Sequence, residues 1–267
     1  MSLDFKPIDI SMKPMADKYI KAWHLQGSEY TFTNLFIWGD EGRIKLAEYD
    51  DTLFILFSNE DEPDFMAAPL TLNPDGDYGR AIHIAEEYFS SRDIRPLFRA
   101  VCGPQKGLFE RYAPTYVLEE DRDNYDYVYQ TGDLIALKGK HYHAKRNHLN
   151  RFIHDYDFEY IDLKPSMLDE CVAVYMDWLK DKDIFQPFLL GEKAAIERII
   201  KHMDKLGVAG GGIRIHGALK AFTLGERISK DMAVVHIEKA DDEIEGLYVA
   251  VNQQFVEHCW KDTVLVN

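Results

Sequence analysis

The chain has 267 residues, enough for one large domain or two small ones with separate cores. Its composition, 46% hydrophobic, 13% aromatic and 29% charged, is that of a globular protein and excludes a low-complexity or fibrous chain. A formal net charge of −15 argues against general nucleic-acid binding, so any contact with a polyanion has to be local. The longest apolar runs, such as TLFILF at 52–57, are strand-sized and far short of a membrane span. The N-terminal stretch MSLDFKPIDISMKP has no apolar core or cleavage site of a signal peptide. Cys102, Cys171 and Cys259 lie far apart without a CxxC pair, the pattern of reduced, mostly buried thiols in a cytoplasmic protein.

In chain order, the aromatic-rich residues 29–38 are predicted to be helical. Strand-like pieces follow at 43–49, 52–57 and 65–68, where apolar residues alternate or run together between turn residues. NPDGD at 73–77 reads as a turn, 78–91 as a helix with Ile82, Ala85 and Phe89 on one side, and 97–101 as a buried strand. Gly103-Pro104 opens a short helix to Tyr112, and the acidic run 119–126 reads as a solvated turn. Tyr125, Tyr127 and Tyr129 alternate as on one strand face, and 133–137 would continue that sheet. Past a basic segment at 138–154, a strand is predicted at 158–163. A helix then starts at Pro165-Ser166, with Ser166 and Asp169 spaced as a capping box, and a second helix covers 192–206 up to Gly207. Strands at 212–216, 218–227 and 232–239, a helix at 246–260 and a strand at 263–266 complete the chain. The fold class is therefore α+β, with two units of helices on mixed sheets, at 1–137 and 138–267.

The basic segment, KGKHYHAKRNHLNRFIH, holds five Lys/Arg, four histidines and no acid, while the other 250 residues carry 26 basic and 46 acidic side chains. Such a concentration of cations on an acidic background marks a candidate anion site. Wound as a helix at about 100° per residue, it puts Tyr142, Leu149, Phe152 and Ile153 in one apolar sector. Lys138 and Lys145 point into that sector, His141 and His148 border it on one side and Arg146 on the other. Two readings stand: an amphipathic helix whose lysines snorkel past a core, or a cleft wall that grips phosphate or carboxylate. The histidine spacing lacks a metal-site pattern, so no metal is expected. The triplet Gly210–Gly212 leads into a strand rather than a helix, which favours a tight turn over a phosphate loop.

In VVHIEKA (234–240), strict alternation gives Val234, His236 and Glu238 one strand face and Lys239 the other; Glu226 alternates likewise in AFTLGE (221–226). A histidine and two carboxylates on neighbouring strands can form a base that removes a proton from an amine or hydroxyl. An ion-paired sheet edge is the competing reading.

The runs LKGKHYHAKRNHLNRF, AFTLGE, VHIEKA and GLYVAVNQQF, in that order, resemble a bacterial family related to the C-terminal domain of phosphatidylglycerol lysyltransferase. The resemblance extends over nearly the whole chain. It implies two tandem GNAT-like acyltransferase units, an arrangement shared with the Fem peptidyltransferases, and aminoacyl-tRNA as the donor of an amino acid. The residues it carries over are Lys138, Lys140, Lys145, Arg146 and Asn147 in the helix block, and Glu226, His236, Glu238 and Lys239 in the strand blocks. One departure concerns the cofactor. GNAT enzymes hold the coenzyme A diphosphate on a glycine-rich loop, but here the interval reads ADDEIEG, whose four acids repel a diphosphate and argue against acetyl-CoA.

The leading expectation is an acyl- or aminoacyl-transferase. Its catalytic candidates are Glu238, Glu226 and His236, and its binding candidates for an anionic small molecule or a tRNA acceptor end are Lys138, His141, Lys145, Arg146, His148 and Lys239. A non-catalytic sensor of an anionic ligand and an acetyl-CoA-dependent N-acetyltransferase are the alternatives.

Overall fold

A computed structural model of the chain describes residues 3–58, 62–180 and 187–267. They form two compact units, Met1–Tyr125 and Asp126–Asn267. Residues 126–137, which the sequence reading grouped with the first half, belong to the second. Tyr129 pairs with Val266, and Leu134 packs with Ala233, Phe255 and Trp260.

The first unit runs β1 (Lys6–Pro7), α1 (Lys13–Trp23), α2 (Phe32–Trp38), β2 (Ile44–Tyr49), β3 (Thr52–Phe57), β4 (Phe65–Ala67), β5 (Leu70–Thr71), α3 (Pro74–Ser90), β6 (Phe98–Arg99) and α4 (Gly103–Tyr112). Its sheet has the order β1-β2-β3-β4-β6, with β5 also on β3. Pairing is antiparallel except between β4 and β6. Helix α3 starts where Pro74 fixes φ and Asp75 and Asp77 favour the positive end of the helix dipole. Its buried stripe of Tyr78, Ala81, Ile82, Ala85 and Phe89 follows helical spacing; Ala81, Ala85 and Phe89 pack on Phe54, Leu56 and Met66 of the sheet.

The second unit runs β7 (Tyr129–Gln130), α5 (Thr131–Ala136), α6 (His143–Asp155), β8 (Phe158–Asp162), α7 (Leu168–Leu179), α8 (Pro187–Lys201), α9 (Met203–Leu206), β9 (Ala209–Ile215), β10 (Ala218–Arg227), β11 (Met232–Ala240), α10 (Leu247–Phe255) and β12 (Leu265–Val266). Its sheet has the order β7-β12-β11-β10-β9-β8, and only the β11–β12 pairing is parallel. Helices α6 and α10 cover one face, where Phe152, Leu247, Ala250 and Val251 pack on Ile213, Ala221 and Ala240. Helix α7, backed by α8, packs on the other face across β10 and β11. Burying Phe152 completely removes a full aromatic side chain from water, worth about 1.5–3 kcal/mol.

The α+β class and the paired units agree with the sequence reading; several local expectations do not. Residues 133–137 lie in or just after α5 instead of a strand, because Leu134 turns inward onto Phe255 and Trp260. The basic segment is helical only from His143; Lys138–Tyr142 precede the helix, after a turn made by Leu137 and Gly139 at φ 46° and 88°. The Ser166–Asp169 capping box does not form, since a 3-10 turn at Pro165–Met167 intervenes before α7. The triplet Gly210–Gly212 is part of β9, not a turn. Side chains there would strike Leu163, Tyr160 and Phe255, so the glycines admit close packing over both faces. Helix α10 gives way to a π-helical turn, Val256–Trp260.

Candidate active site on the second sheet

The polar chemistry of the second unit is sorted by an irregularity in β11. Thr223 pairs with Glu238 and Leu224 with Ile237, but Gly225 pairs with Val235, so His236 is one residue too many. This β-bulge breaks the alternation expected from the sequence. Residues opposite one another share a face, so Glu238 stands with Thr223, and Glu226 stands with Val234 on the reverse side. The predicted grouping of Glu226, His236 and Glu238 on one face is therefore corrected: the bulge divides it.

Glu238 lies on the face covered by α6 and α10. The side-chain amide of Asn252, from α10, donates to its Oε2 at 3.0 Å. The hydroxyl of Thr223, a fully buried residue opposite Glu238, is turned toward the carboxyl at longer than a normal hydrogen-bond distance and adds a weak polar contact. Burial lifts the Glu238 carboxyl from an ordinary 4.5 to about 7, against the lowering influence of Asn252, Thr223 and the Lys145 charge. A carboxyl that titrates near neutrality can both take and return a proton.

Lys145 projects from the first turn of α6, with its ammonium 5.7 Å from the centre of the Tyr129 ring. It is exposed, as are Lys138, Lys140 and His141, and none of the three lysines has a carboxylate within ion-pairing distance among the described residues. The first turn of α6 contains no acid, and its N-cap, Tyr142, makes no side-chain cap bond. The other cations of the segment are occupied. Arg146 donates to the carbonyls of Leu137 (2.5 Å) and Gly139 (3.5 Å), fastening the end of α5. His148 and Arg151 both hold Glu245, at 3.0 and 2.7 Å. Glu245 and Asp241, two acids of the ADDEIEG interval, thus have partners, the latter being Lys220 at 2.9 Å.

A hydrogen-bonded pair and a salt bridge are found away from the Glu238 face. His236 Nε2 is 3.0 Å from Glu226 Oε1, and their side chains are 1% and 11% exposed. Lys239, on the α7 face, is held by Glu192 Oε1 at 2.9 Å and sits 3.8 Å from the centre of the Trp178 ring, with Tyr175 at 5.7 Å. Lys239 and Glu192 are both buried, so this lysine joins β11 to α7 and α8. No group of His, Cys, Asp or Glu among the described residues has the arrangement of a metal site.

The family described as "Phosphatidylglycerol lysyltransferase, C-terminal" matches residues 21–267. The chain belongs to this family. No curated protein sequence matches it. Among solved structures, a conserved protein of unknown function from Bacteroides thetaiotaomicron superposes with a TM-score of 0.90 at 28% identity, covering 99% of this chain and 89% of that one. The C-terminal domain of a putative lysylphosphatidylglycerol synthetase from Agrobacterium fabrum gives 0.58 at 14% identity, over 97% and 78% of the two chains. FemX gives 0.59 at 6% identity, over 99% and 88%. These two distant likenesses show the shared fold, the tandem GNAT-like architecture expected from the sequence. No helix among the described residues is long and apolar enough to cross a membrane.

Within the family's matched span, all four sequence blocks contribute to this one sheet and its helices. What sequence reasoning missed is Asn252, Thr223 and Glu192. Asn252 and Thr223 lie inside two of those blocks, and helical spacing with Tyr248 in GLYVAVNQQF could have pointed to Asn252. Glu192 has no such signal, because its partnership with Lys239 spans 47 positions of sequence.

Proposed function

We propose that the protein is an aminoacyltransferase. An activated ester, with aminoacyl-tRNA as the donor, rests its phosphates on Lys138, Lys140 and Lys145 at the start of α6, where the unpaired N–H groups of the helix terminus add positive potential. Glu238 removes a proton from the acceptor amine or hydroxyl as it attacks the ester carbonyl. The proton passes to the leaving ribose oxygen, so the carboxylate is regenerated. Membership of the lysyltransferase family supports the reaction class. The observation that carries the reading is Glu238 itself, a half-buried carboxyl raised to about 7 within electrostatic reach of an exposed lysine of the basic segment. Glu226, His236, Arg146, His148 and Lys239 support the site as structure, each having a partner within the unit.

The test is binding of aminoacyl-tRNA to the wild type and to a Lys138→Ala/Lys145→Ala variant at physiological salt. Loss of two phosphate contacts should weaken affinity at least tenfold and reduce its salt dependence. Equal affinity would remove the basic segment from the reaction. Addition of coenzyme A at concentrations far above typical affinities should leave the melting temperature unchanged, whereas a rise would favour an acetyltransferase.

A further inference from the structure

The bulge in β11 has two supports of its own. Gly225 is one: a Cβ there would lie 2.5 Å from the carbonyl oxygen of Val234 and 3.3 Å from the Phe255 ring, so β11 can cross at this point only over a glycine. The other is the His236–Glu226 pair, 3.0 Å long and almost fully buried, which joins the supernumerary residue of β11 to the neighbouring strand. The parity of the strand depends on that extra residue. Without it, period-two alternation returns Glu238 to the face of Val234, away from Asn252 and the α6 helix.

We infer that His236 and Glu226 are positioning residues: their buried hydrogen bond pins the β-bulge that aims Glu238 at α10. The pair does not touch the reacting atoms. A buried histidine and carboxylate satisfy one another, and the chain cannot slide into regular register without separating them in a place closed to water. The pair lies on the face opposite Glu238. The groups that set the environment of Glu238 are Thr223 from β10, Asn252 and Tyr248 from α10, and Lys145 from α6. Their combined influence on it is lost if the register shifts. The consequence for catalysis rests on the proposed role of Glu238 as the base.

The experiment follows Glu238 by carbon-13 NMR of labelled carboxyls during a pH titration, its signal assigned by its disappearance in Glu238→Gln. Two variants are compared with the wild type: Glu226→Gln, and a double variant, His236→Leu with Glu226→Leu. Replacing both partners by apolar groups removes the pin without stranding a charge. In the double variant the titration midpoint of Glu238 should fall from about 7 toward the ordinary carboxylate value of about 4.3. Glu226→Gln, which keeps a weaker hydrogen bond, should give a smaller fall. An unchanged midpoint in a folded double variant overturns the inference. Failure of both variants to fold also overturns it, because the pair would then be needed for the fold as a whole. The titration needs no substrate, so it is separate from the transferase reading: Glu238→Gln with full transfer activity removes the base and leaves the pin.

Discussion

The two sheets are built alike and hold opposite chemistry. Each is antiparallel among its described strands except for one parallel pair, β4–β6 in the first unit and β11–β12 in the second. Just past β6, Ala100 turns at φ 53° and Gln105 of α4 fills the space with neutral contacts. The backbone N–H of Cys102 donates to Gln105 Oε1 at 3.0 Å, the Gln105 amide donates to Ala68 O at 3.4 Å, and the Tyr30 hydroxyl donates to Ala100 O at 2.8 Å. Burial drives the Tyr30 hydroxyl well above its usual range, so ionisation of this hydrogen-bonded cluster is disfavoured. In the second unit, β11 itself bears His236, Glu238 and Lys239. Uncharged buried groups with mutual hydrogen bonds rigidify; a carboxyl that titrates near neutrality can exchange protons. The proposed transfer, with Glu238 as its base, belongs to the second unit.

The largest effect that can break this assignment is on rate. Glu238→Gln should reduce aminoacyl transfer by about 10²–10⁴-fold in single-turnover measurements, the usual range for a lost general base. Next comes Lys239→Met, which abandons Glu192 in a buried place. Chemical denaturation should register a loss of about 3–5 kcal/mol, most of it regained when Glu192→Leu is added. Third is the pH dependence of stability. The folded value of Glu238 is raised, so the native state holds this proton more tightly than the unfolded chain. Its contribution therefore declines as pH climbs from about 4.5 to about 7 and continues to fall above that until both states are ionised. At about 1.4 kcal/mol per unit the difference is about 3.5 kcal/mol, and Glu238→Gln should flatten that part of the curve. The smallest effect tests the first unit. Gln105→Ala should cost about 1–3 kcal/mol through stranded buried partners while leaving transfer unchanged; a matching fall in transfer would dissolve the contrast between the sheets.

Long-period features were legible in the sequence because burial imposes them. The stripe of α3 and the apolar face of α10 follow from which side meets a core. Lys145 and Glu238 were also legible as candidates, the one by charge density and the other by strand pattern. Their sorting was not legible. One extra residue at His236 reverses which carboxyl faces which helix, and a bulge depends on a glycine in the partner strand and on a tertiary hydrogen bond. Lys239 and Arg146 looked like binding residues because an isolated cation in a sequence carries no sign of its partner. Only the fold supplies Glu192 and Trp178 to one, and the carbonyls ending α5 to the other.

Gly246 governs a spacing. It caps α10 at φ 86°, and the position where a side chain would begin lies against the carbonyl oxygen of His148 in α6. The two helices therefore meet backbone to backbone, with a single hydrogen atom as the spacer. One helix bears Lys145 and the other bears Asn252, the hydrogen-bond partner of Glu238. Any wedge at this contact would lengthen the gap over which the lysine's field acts on the carboxyl, and Coulomb attraction weakens with every ångström. The smallest residue in the chain thereby works as the calibration of the site, fixing how strongly the cation biases the acid without touching either.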